Sequence, residues 1–179
     1  MAARARAEVA DDYAHRMDDR AVDATQLGRE PRAFRRVAVR CPFGSPAVTE
    51  QEPYDQDGDP FPTTYYLTCP QLVAAVSRLE AAGGVERWSQ AVAGDRALGA
   101  SLRRANADQR ELRHGLAGGR EGSDGGASLD LGVGGAARHG SLKCLHAHVA
   151  YALARPGYEL GDRILEEVDP LWPADRCCT

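Results

Sequence analysis

Five cysteines and five histidines carry most of the chemistry open to this chain. Cys41 and Cys69 are each followed by a proline, Pro42 and Pro70, so each thiol stands where an extended segment has to end. A thiolate at such a point is presented out of a tight turn, which suits metal ligation. Cys144 opens the stretch KCLHAHVAYALA over residues 143–154. On helical spacing Cys144, His148 and Tyr151 share one face, opposite a stripe of Leu142, Leu145, Val149, Ala152 and Leu153. A wholly solvated face would carry Glu, Arg or Gln. The Cys-His-Tyr face therefore marks a second buried contact or a site.

These residues define a candidate ligand set of Cys41, Cys69, Cys144 and His148, with Cys177 or Cys178 as the alternative fourth ligand. Lys143, the only lysine, and Tyr151 would stand behind the ligands as outer residues. Three thiolates with a histidine suit tetrahedral zinc, and four thiolates also suit an iron–sulfur cluster. Two other classes of function remain open. In a thiol-dependent enzyme Cys69, at a helix N-terminus, would be the nucleophile and His148 the base. In a structural or adaptor protein the cysteines merely pack, and the helices offer an apolar patch to a protein partner. His146, at the edge of the leucine stripe, reads as a hydrogen-bonded core histidine. Lys143 reads either as an anion or thiolate partner or as a surface lysine.

Several familiar chemistries are missing. There is no CxxC pair and no Cys-x5-Arg loop. Asp55, Asp57 and Asp59 resemble the opening of a calcium loop, but its twelfth position is Tyr66, so a hairpin turn is expected. The glycines between 118 and 135 lack a GKS/T ending and a preceding strand, so they form no phosphate loop.

The elements that must position these residues follow from pattern. Residues 34–40 (FRRVAVR) alternate as a strand, a second extended piece runs over 47–52, and 61–68 (FPTTYYLT) make the strongest strand. Helices are expected over roughly 70–82, 95–114, 142–154 and 160–168, with a short one around Trp88 and Val92. The expected fold is α+β: a small antiparallel sheet covered by four or five helices in one domain spanning 23–170. Residues 1–22 read as a frayed or disordered extension, with ordered structure beginning near Val22. Residues 118–135 read as a flexible loop and 171–179 as a tail. The core is expected to hold Phe61, Tyr65, Leu67, Leu72, Val76, Leu79, Leu98, Leu102, Leu145, Val149 and Leu153.

At 179 residues the chain is long enough to bury a core without staples, and its net charge of −4 supplies no basic field for nucleic acid. No run of 18 apolar residues is present, so no membrane partner is expected. The first twenty residues lack the apolar stretch of a secretory signal. A cytoplasmic location is expected, where thiols stay reduced.

The segments RCPFGSP (40–46), DGDPFPTTYYLTCP (57–70) and KCLHAHVAYALA (143–154), preceded by QLGREPR (26–32), resemble the domain of unknown function family 501 of high-GC bacteria. The resemblance covers about residues 25–168 and is carried by the combination of FPTTYYLTCP with KCLHAH. It implies a cytosolic single-domain protein of uncharacterised function. It brings no activity with it.

Overall fold

The computed structural model describes residues 18–137 and 140–175. Three strands form one antiparallel sheet: β1 (Phe34–Arg40), β2 (Pro46–Gln51) and β3 (Tyr65–Leu67), in the order β1-β2-β3. Val48 of β2 pairs with Val39 on one side and Leu67 on the other. As the middle strand β2 is covered on both faces, and all six of its residues are buried. Even Glu50 is inside, where Arg35 and Arg36 hold its two carboxylate oxygens at 2.5 and 2.6 Å.

Among the described residues six α-helices surround the sheet. The first, α1, is described over residues 18–27, so helical order is already present four residues before Val22. It is tied to the sheet end by Arg40 on Asp19 and by Gln26 Nε2 donating to the Pro46 carbonyl at 3.1 Å. Then come α2 (Pro70–Ala81), α3 (Gly84–Gly94), α4 (Arg96–Ala117), α5 (Leu145–Ala154) and α6 (Glu159–Glu167). Pro70 is tolerated at the first position of α2 because an N–H there would have no helical partner. Asp95 caps α4 by accepting from Ala97 N at 2.8 Å, and Gly118 ends it in the left-handed conformation. Among the described residues no helix is long and apolar enough to cross a membrane.

One strand is shorter than its sequence implies. Residues 61–64 are not part of the ladder. Pro62 has no N–H to give to a ladder. Beyond backbone bonds to Gln51 and Pro53, the segment is held by α4: buried Arg113 donates to the Phe61 carbonyl at 2.9 Å and to Thr64 Oγ1, and Gln109 donates to Thr64 Oγ1 at 2.8 Å. Arg113 also reaches the Ser128 carbonyl at 3.1 Å, which anchors the glycine-rich connection. That connection contains two short 3-10 turns, η1 (Ala127–Asp130) and η2 (Val133–Gly135).

The main core is a cluster centred on α5, which packs against β3, α2, α6 and η2, and Tyr54, Ala117 and Leu129 form a small second one. Tyr65, Leu67, Leu72, Val76, Leu98, Leu102, Leu145 and Val149 are buried as expected, whereas Phe61, Leu79 and Leu153 are only half-buried. His148 and Tyr151, on the face opposite the leucines, are buried too, so α5 is enclosed on every side. At the turn from α2 to α3 a Cβ on Gly84 would sit 2.6 Å from the Leu79 carbonyl oxygen and 3.0 Å from Leu145 Cδ1. The missing side chain lets the end of α2 close onto the start of α5.

Candidate functional site

The site forms where α2 closes onto α5. Cys144 lies one residue ahead of α5, and its backbone is extended (φ −162°, ψ 131°). A residue outside the helix does not follow the helical rotation. Cys144 thus meets His146, two residues on, and not His148, four residues on.

Glu80, in the last turn of α2, completes the group. A carboxylate oxygen of Glu80, Sγ of Cys144 and a ring nitrogen of His146 all lie within 4.8 Å of one another. Glu80 Oε1 accepts the Leu145 backbone N–H at 2.5 Å and lies 3.2 Å from His146 Nδ1. On the other edge of the ring, Nε2 lies 3.3 Å from the Val73 carbonyl oxygen and 3.2 Å from Ser77 Oγ. Val73, Ser77 and Glu80 follow one another at i, i+4 and i+7, so a single stripe of α2 grips the imidazole.

This arrangement constrains what sits at Nδ1. The Val73 carbonyl can only accept, so the bond to it puts a hydrogen on Nε2. Nδ1 then faces the Glu80 carboxylate oxygen at 3.2 Å, with the Cys144 sulfur close to the ring, a setting that favours a positive centre. A proton is one such centre. The hydrogen bond with Cys144 and the nearby Glu80 carboxylate raise the His146 pKa to about 9, although burial acts against this. A metal ion is the other.

Cys144 and His146 open onto a cavity of about 850 Å3. Leu27 of α1, Pro62, Tyr65 and Tyr66 on the sheet side, and Val73 of α2 wall it, and Lys143 stands at its edge. A Cβ on Gly134, in η2, would come within 3.0 Å of the Ala147 side chain, so glycine there allows η2 to lie against α5 beside the cavity.

The other expected site residues among those described lie outside this group. Cys41, buried to 5 % exposure, follows β1, and Cys69, at 1 %, follows β3. The two strands are not neighbours: β2 runs between them, which sets their backbones about 9–10 Å apart. His148 is fully buried, with Nδ1 2.8 Å from the Tyr158 hydroxyl and Nε2 without a hydrogen-bond partner among the described residues. Burial lowers its pKa to about 4, so it is neutral at pH 7. Tyr151 donates to Asp108 at 2.5 Å, beside Arg155 on the same carboxylate, and lines a different cavity of about 460 Å3. Burial and the Asp108 carboxylate push its phenol pKa upward. Cys177 and Cys178 lie outside the described residues. Among the described residues, Glu80, Cys144 and His146 are the one group of three or more ligand-type side chains gathered this closely, and it shares only Cys144 with the expected set.

Glu80 has no signal in the sequence, and His146, which reads there as a hydrogen-bonded core histidine, is hydrogen-bonded and also part of this group. The available signal was the C-x-H spacing at a helix start. Placing the helix start at 142 hid it by rotating Cys144 onto the His148 face.

Fold and site together define a small α+β protein whose Cys-His-Glu group borders a half-open cavity through Cys144 and His146. The chain belongs to the family described as Protein of unknown function (DUF501), whose model matches residues 37–166 and so takes in the sheet from Val37 on, α2 to α5, nearly all of α6 and all three residues of the group. Comparison with curated proteins and with solved structures gives no match.

Proposed function

We propose that the protein binds a zinc-class divalent metal through Glu80, Cys144 and His146, with one coordination position left open to the cavity. The observation that carries this reading is the meeting of a carboxylate oxygen, a sulfur and a ring nitrogen of His146 within 4.8 Å, with Nδ1 3.2 Å from Glu80 and a backbone carbonyl on the far side of the imidazole. Metal-bound histidines characteristically donate their second N–H in this way, which fixes the tautomer and aims the lone pair. The metal would take the place of the proton at Nδ1. Three protein ligands with an open fourth position is the pattern of zinc sites that act on a bound molecule, whereas closed four-ligand sites are structural. A single thiolate suits zinc and does not suit an iron–sulfur cluster. A cytosolic location fits, since Cys144 would stay reduced there.

The test is metal analysis of protein purified without oxygen, followed by reconstitution with zinc or cobalt(II). One equivalent of metal is expected, together with a thiolate-to-cobalt charge-transfer band. Cys144→Ala and His146→Ala should each abolish both, while Cys41→Ala and Cys69→Ala should not. Folded protein that takes up no metal, or that loses it only with Cys41 or Cys69, overturns the proposal.

A thiol-dependent reaction is the second reading, moved from Cys69 to Cys144. Cys69 is buried to 1 % exposure, whereas Cys144 is partly exposed, heads α5 on the cavity wall and lies beside an imidazole that holds its proton up to about pH 9. One fast-alkylating thiol at Cys144 in metal-free protein, slowed by His146→Ala, would favour it. Uniformly slow alkylation would sink it.

A further inference from the structure

The cavity beside the group has a composition that narrows what can enter it. Its walls are mostly apolar or aromatic: Leu27, Pro62, Tyr65, Tyr66, Pro70 and Val73. Among the described residues no aspartate or glutamate lines it, although the chain carries 26 acidic residues and is negative overall. Its charged lining among the described residues is Lys143 and His146. Lys143 is exposed and forms no ion pair or hydrogen bond among the described residues. A Cβ on Gly135 would lie 3.9 Å from Nζ, so the ammonium rests close to η2, whose neighbouring Gly134 lines the same cavity.

We infer that this cavity binds a small amphiphilic carboxylate, with its apolar body between the tyrosines and prolines and its carboxylate between Lys143 and the open metal position. The inference rests on the metal reading above. With a divalent ion in place, the Cys144 thiolate and the Glu80 carboxylate balance the metal, and the Lys143 ammonium leaves one positive charge. One monoanion closes that balance. A phosphate ester carries more charge and is usually met by several cations or a nest of backbone N–H groups; this cavity offers one lysine. A volume of about 850 Å3 lies within the range that takes a whole small organic molecule.

The probes are 2-naphthoate, neutral 2-naphthamide and 1-naphthyl phosphate, titrated calorimetrically into the zinc-loaded full chain. Naphthoate should bind about tenfold more tightly than the amide, a difference on the scale of one partly screened ion pair reinforced by the metal. Lys143→Gln should keep its zinc and lose the part of that preference that the ion pair supplies, binding naphthoate several-fold more weakly. Lys143 is exposed, so this variant should fold. Zinc-loaded protein that binds acid and amide equally, or a Lys143→Gln variant that keeps the preference in full, overturns the inference and leaves the metal reading standing. Phosphate binding about tenfold tighter than naphthoate overturns the carboxylate assignment. Folded protein that takes up no zinc overturns both.

Discussion

The carboxylate of Glu80 does two jobs at one oxygen: Oε1 accepts the backbone N–H of Leu145 at 2.5 Å and stands 3.2 Å from Nδ1 of His146. The residue that joins α2 to the head of α5 is therefore the residue that faces the imidazole.

From this relationship, Glu80→Ala should damage both stability and metal uptake. It leaves the Leu145 N–H without its acceptor, at a cost of about 1–3 kcal/mol. Glu80→Gln still offers an oxygen to Leu145 but loses the charge. It should recover most of the stability and little of the metal affinity. Chemical denaturation and zinc competition on the two variants check this. Equal metal affinity in wild type and Glu80→Gln would remove Glu80 from the ligand set.

The two histidines of α5 should separate cleanly. His148 is neutral at pH 7 and bonded to Tyr158, so Tyr158→Phe should destabilise the fold by about 1–3 kcal/mol by leaving Nδ1 unpaired. Metal content should not change. His146→Ala should do the reverse, removing the metal at a smaller cost to the metal-free fold, since its ring is partly exposed. Metal analysis alongside thermal melts distinguishes the two patterns.

Asp23 makes stability depend on pH. It is fully buried in α1, neither carboxylate oxygen has a hydrogen-bond partner among the described residues, and burial raises its pKa to about 6 despite Arg20 and Arg29. The folded value lies above the unfolded one. The stabilising contribution is thus full below about pH 4 and is lost as pH rises through about 6. The charged form should cost on the order of 2–3 kcal/mol at neutral pH. Asp23→Asn removes the titration. The stability gap between variant and wild type should shift in favour of the wild type between pH 7.5 and pH 5. A gap independent of pH would show that Asp23 keeps its ordinary affinity for the proton.

Packing at the α2–α5 junction should be felt at the site. Leu145 is fully buried, and Leu145→Ala should cost roughly 2–5 kcal/mol. Gly84→Ala pushes a methyl against the Leu79 carbonyl and Leu145, so it should cost about 1–3 kcal/mol. It should also weaken metal binding by spreading Glu80 from Cys144. A Gly84→Ala protein with unchanged stability would mean that the junction can relax without cost.

By itself the sequence determined the α+β class, β1 and β2, the helices α2 to α6, and most of the core. These follow from alternation, from the leucine spacing, and from Pro70 and Gly83 acting as start and stop signals that work within a few residues of themselves. It also pointed to Cys144 and Lys143. Tertiary structure decided the rest. It shortened β3 to Tyr65–Leu67, because buried Arg113 and Gln109 reach across from α4 to hold residues 61–64. It set β2 between the strands that Cys41 and Cys69 follow, because strand order is a matter of pairing that neither cysteine's neighbours encode. It also exchanged His148 for His146. A start at Leu145 leaves Cys144 extended, and a change of backbone conformation at one residue turns its side chain by more than a helical wheel can register. Glu80 lies far away in the chain, and only the closure of α2 onto α5 brings its carboxylate to the pair.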